Sequence, residues 1–190
     1  EDIAHYYANH PFAPYALSPD ADFPVTNIEK AHYSPRFSAS WEKTVSPGVR
    51  VLALDGGIRV NVAPANCTCL VENADRTQLE AVLKRVSGET GVSLTAVYEG
   101  NTAKITAVGV QAHASTPDEG KNAITATLQA LCALPLAQGA AEKTVRQLHE
   151  IFPYGDNRGK VLGIAMEDAV SGCLTLTFSM VHLDSSGFWG

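Results

Sequence analysis

No stretch of the sequence approaches the ~18 consecutive apolar residues that a membrane span needs. The most apolar region, around Leu128 to Leu136, is broken by Gln129 and Pro135. Basic charge is also short: Lys plus Arg total 14 against 20 Asp plus Glu, a net charge of -6. That balance offers no electrostatic footprint for a nucleic acid or an anionic membrane, and both drop out as partners. Internal repeats and low-complexity tracts are missing too. With 45% hydrophobic and 18% charged residues over 190 positions, the chain can bury one good core or two modest ones, which excludes disorder.

Cysteine is scarce, with 4 residues. The one close pair, Cys67 and Cys69, is a C-x-C whose side chains would point to the same face of a strand. Structural zinc sites use C-x2-C or Cys/His pairs on turns, so buried free thiols are expected, in keeping with a reducing, cytoplasmic setting. The 6 histidines contain no H-E-x-x-H and no pair at helical i, i+4 spacing, so no metal site is expected to be complete within this chain. Gly120-Lys121-Asn122 is not a phosphate loop, because the position where that loop needs its first glycine holds Ser115. The chain opens at Glu1 with no signal-like segment and reads as a piece of a longer protein.

Prolines 11, 14, 19 and 24 predict extended chain with turns over 11–27, a boundary. Beyond it, Glu29 to Trp41 suits a strand. Val49 to Leu54 suits a second, closed by Asp55-Gly56-Gly57 as a tight turn and followed by a hairpin return through Ile58 to Val62. Cys67, Cys69 and Val71 alternate as a half-buried strand, and Asp75 with Gln78 forms a capping box. Leu79, Val82, Leu83 and Val86 then mark one helical face, ended by Gly88 and Gly91. Val92 to Tyr98 and Lys104 to Val110 form a hairpin around Gly100. Thr116 as N-cap, Pro117 and Glu119 predict a helix running to about Ala133, and a third helix is expected over Ala141 to Phe152. A strand over Cys173 to Leu183 completes the order. The fold class is α+β, ferredoxin-like β-α-β-β-α-β with an insertion before the last strand.

Three places offer chemistry. His113 follows a strand and precedes the helix expected at Thr116, whose free N–H groups would lie nearby; such an imidazole can stabilise an oxyanion or merely bond a loop. Asp20 and Asp22, flanked by prolines, form a carboxylate pair in which either could hold a metal or simply build a turn. Asn61 could aim its amide into a cleft or satisfy a strand end.

The string Ala112-His113-Ala-Ser-Thr-Pro117, followed by Gly120 and Asn122-Ala123, resembles the lid-domain histidine motif of zinc dipeptidases related to carnosinase, the bacterial Xaa-His dipeptidases in particular. Other blocks agree in the family's order: Ser18-Pro-Asp-Ala-Asp-Phe-Pro24 with Glu29-Lys30, Gly56-Gly57 with Asn61 and Pro64, and Leu162-Gly-Ile-Ala-Met-Glu-Asp-Ala-Val-Ser-Gly172. The resemblance implies a catalytic domain with two zinc ions and a ferredoxin-like lid inserted into it. Residues 1–28 then look like the end of the first segment of an α/β catalytic domain, and 29–190 like the lid, incomplete at its C-terminal end. Carried over by position, Asp20 matches the zinc ligand, His113 the lid histidine on the scissile carbonyl, and Asn61 a polar residue near the same oxygen. The other zinc ligands, the glutamate general base and the arginine for the substrate carboxylate have no counterparts here, so the chain alone is expected to be inactive and without zinc. Implied partners are a short peptide substrate, the remainder of the catalytic domain and a second copy in a homodimer. Two rival readings are an acyl-amino-acid amidohydrolase with the same zinc core, and a ferredoxin-like binding or dimerisation module with no chemistry.

Overall fold

The structure, a computed structural model, describes residues 2–11, 14–15, 29–42 and 46–190. Two compact units divide the chain, Glu1–Ala31 and His32–Gly190. In the first, helix α1 (Asp2–Asn9) ends where the Asn9 amide donates to the His5 carbonyl at 2.9 Å. Ser18 to Pro24, with Asp20 and Asp22, lies outside the described residues.

The second unit is built on an antiparallel sheet. Its strands in chain order are β1 (Ser38–Ser40), β2 (Arg50–Gly56), β4 (Asn66–Glu72), β5 (Ser93–Glu99), β6 (Thr102–Val108), β10 (Val181–Leu183) and β11 (Gly187–Trp189). Across the sheet they run β1-β11-β10-β2-β4-β6-β5. Two short ribbons stand apart: β3 (Val62–Ala63) with β7 (Ala112–His113), and β8 (Glu167–Asp168) with β9 (Gly172–Cys173). Helices α2 (Arg76–Thr90), α3 (Ala123–Cys132) and α4 (Ala140–Ile151) complete the unit.

The ferredoxin-like core is β4-α2-β5-β6-α3, and the local signals of α2 and of the β5–β6 hairpin are obeyed. Asp75 caps α2 by accepting from the Gln78 N–H at 2.8 Å, and Gly91 ends it, its N–H reaching the Ser87 carbonyl at 2.8 Å. Leu79, Val82, Leu83 and Val86 are buried beneath the helix. Asp75→Ala is expected to destabilise the fold by about 1 kcal/mol, the usual value of a lost N-cap, read by denaturant unfolding. Strands β5 and β6 pair from Glu99 opposite Thr102 around a two-residue turn. On the helix-covered face Cys67 lies opposite Ala107, Cys69 opposite Ile105 and Val71 opposite Ala103, all buried. Burial pushes the Cys67 thiol up to about 12 and raises Cys69 further from reactivity, so these thiols pack rather than react.

Four expectations need correction. The fourth place in the ferredoxin-like sheet, beside β4, is taken by β2, and the last strand sits one place further out on β2. With both edges of β2 filled, no return strand can pair with it. Residues 58–61 therefore loop away, with Ile58 82% exposed, and Val62–Ala63 pair with β7 instead. Between Glu29 and Trp41 regular strand is confined to Ser38–Ser40, which pair with β11. The alternating run from Cys173 to Leu183 is strand only at its two ends, because loops satisfy its backbone between them. The Leu174 N–H reaches the Met166 carbonyl at 2.8 Å and the Leu176 N–H reaches the Asn157 carbonyl at 2.9 Å.

Strand β2 also carries a bulge between Val51 and Ala53, and there buried Glu142 from the first turn of α4 accepts from the Val51 N–H at 2.8 Å. Across the other edge, His182 of β10 lies directly opposite Asp55, with Nδ1 and Oδ1 2.5 Å apart. Trp189 stacks on the imidazole and Asp184 stands 3.6 Å from Nε2. The Asp55 bond raises the His182 pKa above its ordinary 6.5. The folded state therefore holds this proton more tightly than the unfolded chain does. The stabilisation is complete below about 6.5 and is lost as pH rises through the raised folded value. Asp55→Asn is expected to move the His182 titration back toward 6.5, as followed by NMR of the ring protons.

Candidate functional site

The β3–β7 ribbon is where two of the residues singled out from the sequence meet. It hangs from the end of β6, where the Gly109 N–H reaches the Ala65 carbonyl at 2.7 Å, and it is pinned by buried Ala63, Pro64 and Pro117. Val62 pairs with His113 and Ala63 with Ala112. The Ala114 N–H donates to the Asn61 carbonyl at 2.9 Å, so Asn61 and His113 sit at the same end of adjacent strands. Both residues are exposed.

The His113 ring is oriented by its own turn. The Ser115 N–H donates to Nδ1 at 3.2 Å, and the Ser115 hydroxyl lies 2.7 Å from the same nitrogen. A backbone N–H can only donate, so Nδ1 is the acceptor and, in the neutral ring, the proton belongs on Nε2. Nε2 has no partner among the described residues. The site therefore presents an N–H donor to solvent, the group a developing negative charge on oxygen requires.

The helix expected to start at Thr116 does not contribute. Pro117–Glu119 form a single 3-10 turn, and Thr116 makes no side-chain cap to it. The backbone then straightens, because Val110 and Lys121 form an antiparallel bridge and Gly109 lies against the Lys121 carbonyl. Helix α3 begins at Ala123, capped by Asn122, whose side chain accepts from the N–H groups of Ile124 and Thr125 and donates to the Phe178 carbonyl at 3.0 Å. The N–H groups of Ile124 and Thr125 are thus engaged by Asn122 and that of Ala123 by the Pro64 carbonyl, so none is left to point at a group beside His113.

Sequence reasoning missed the groups that hold the His113 turn from below. Asp118 accepts from Asn157 Nδ2 at 2.8 Å and from the Arg158 guanidinium at 2.5 Å. No local pattern announces these pairs, since the partners lie 39 and 40 residues away. Asp20 and Asp22 fall outside the described residues, and among the described residues no group of three or more His, Cys, Asp or Glu could hold a metal ion. None of the described helices is long and apolar enough to cross a membrane.

Comparison with known proteins places the fold among peptidases. Residues 95–180 match the peptidase dimerisation domain. The chain is 27% identical over 175 residues to the Bacillus subtilis (strain 168) protein named "Putative dipeptidase YtjP", covering 92% of this chain and 37% of that protein. It is 27% identical over 186 residues to the Beta-Ala-Xaa dipeptidase of Lactobacillus delbrueckii subsp. lactis, covering 97% of this chain and 39% of that protein. The chain thus spans about two fifths of the length of these relatives. Sheet topology and these matches agree: residues 95–180 match a peptidase dimerisation domain, the sheet is ferredoxin-like, and the chain is similar to dipeptidases over most of its length.

Proposed function

We propose that residues 29–190 form the lid of a zinc-dependent dipeptidase, that residues 1–28 belong to its catalytic domain, and that His113 donates a hydrogen bond to the oxygen of the scissile carbonyl. The observation that carries this reading is the placement of Asn61 and His113 at one exposed ribbon end, with Nδ1 of His113 occupied and Nε2–H open to solvent. As the carbonyl carbon is attacked, its oxygen gains charge, and a donor already oriented by strand and turn stabilises that charge without reorganising. Asn61 supplies a second polar group at the same place. The substrate class is a short peptide, as in the dipeptidases to which the chain is similar.

In this chain the metal requirement rests on Asp20 alone. Among the described residues no group of three or more His, Cys, Asp or Glu could hold a metal ion, so zinc would be held by Asp20 together with ligands from the remainder of the catalytic domain. In the complete peptidase Asp20→Ala is expected to lower bound zinc and dipeptide hydrolysis together, whereas Asp22→Ala does so far less. Metal analysis of the two purified variants decides between them, and a zinc-depleted Asp22→Ala would shift the assignment by two positions. The matched domain's description supports a homodimer as the assembled form. Cys67 and Cys69, packed in the core as thiols, support a reducing, cytoplasmic location.

A further inference from the structure

The turn that carries His113 is slight. It has a two-residue strand on one side and a three-residue 3-10 turn on the other, joined by the Thr116 N–H to the His113 carbonyl at 2.9 Å. What reaches it from elsewhere in the fold is the loop that follows α4, ahead of the Leu162–Gly172 motif block. Asp118 projects from the 3-10 turn, and each of its carboxylate oxygens is held by a different residue, Oδ1 by Asn157 and Oδ2 by Arg158. Two donors on one carboxylate define its position along two directions, as a single contact would not.

The platform beneath is well tied. The Asp156 carboxylate accepts from the N–H groups of Lys160 at 3.0 Å and Val161 at 2.9 Å, closing the loop on itself. The Asn157 carbonyl accepts from Leu176 at 2.9 Å, and Phe152 stacks on Phe178 with ring centroids 4.6 Å apart. The Phe178 carbonyl in turn accepts from Asn122, the cap of α3. The side chains of Arg158 and Asp118 are 35% and 56% exposed, and an ion pair that open contributes little to global stability. Its consequence is local geometry.

We propose that Asp118, gripped by Asn157 and Arg158, is a positioning residue that fixes the His113 turn against the loop that follows α4. The inference rests on the reading of His113 as the carbonyl-binding group. It also gives the loop that leads into the Leu162–Gly172 block a part in the site.

The test uses the complete peptidase for kinetics and the present chain for spectroscopy. Asp118→Ala and Arg158→Ala are each expected to lower kcat about tenfold with little change in KM, a partial misplacement of one donor. The charge swap, Asp118→Arg with Arg158→Asp, is expected to recover most of that loss. In a His113→Ala background, Asp118→Ala is expected to cost nothing more, because it acts through that ring. NMR of the chain is expected to show shifted His113 ring signals in Asp118→Ala at an unchanged Tm, which separates positioning from a folding defect. Wild-type kcat in Asp118→Ala, beside an impaired His113→Ala, overturns the inference and leaves the reading of His113 standing. A further loss in the His113→Ala background overturns it too. Wild-type kcat in His113→Ala overturns the reading instead, and the ring signals then still report whether Asp118 holds the turn.

Discussion

In the complete peptidase, His113→Ala is expected to reduce kcat by about 10²–10³, the usual loss for one oxyanion donor and equivalent to about 3–4 kcal/mol of transition-state stabilisation. The loss falls on kcat because the donor meets a carbonyl oxygen that is nearly neutral in the bound substrate and charged in the transition state; KM should change far less. Folding is expected to survive. The ring is exposed and, among the described residues, its hydrogen bonds run to Ser115, two residues along, so truncation opens no cavity and stability should move by no more than about 0.5 kcal/mol. Steady-state kinetics on zinc-replete enzyme, with thermal unfolding as the control, measures both halves. A rise in KM alone would make His113 a binding residue, and an unchanged kcat would return it to a loop-bonding histidine.

Elements whose signals are contained within a few residues were legible in the sequence. Helix α2 is the clearest, because cap, apolar face and terminator lie within one stretch from Asp75 to Gly91 and need nothing from the rest of the chain. The β5–β6 hairpin is another. Thr116-Pro117-Asp118-Glu119 misled for the same reason. Its start signal is satisfied by one 3-10 turn, and what stops the helix there is the bridge between Val110 and Lys121, which brings two distant backbones together. Likewise, nothing in Val49 to Leu54 says that this strand will sit between β4 and β10. The site divides the same way. His113 and Asn61 stand out one by one, but they meet only because Val62 pairs with His113 across 51 residues. The grip of Arg158 on Asp118 leaves no local trace at all.

Gly57 shows the cost of that non-local packing. Within Asp55-Gly56-Gly57 it resembles a turn glycine, yet its surroundings are those of a close contact. Its φ is +75°, and a Cβ built there would stand 1.8 Å from the Ser179 carbonyl oxygen and 3.1 Å from the Met180 Cα. Both neighbours are backbone atoms leading into β10, whose Val181 pairs with Gly56, so neither can swing aside as a side chain would. Gly57→Ala must therefore meet two costs: roughly 1–2 kcal/mol for an L-residue in the left-handed region, and displacement of the segment that enters β10. A loss of about 3–5 kcal/mol is expected, or roughly 10 °C in Tm for a domain of this size. Gly100 supplies the control. Its φ is +59° and nothing lies within 4 Å of its missing Cβ, so Gly100→Ala carries the conformational cost without the collision. Thermal unfolding of the two variants followed by circular dichroism should give Gly57→Ala at least twice the Tm loss of Gly100→Ala. Equal losses would mean that the Ser179 carbonyl does not rest on Gly57, and the seating of β10 against β2 would have to be redrawn.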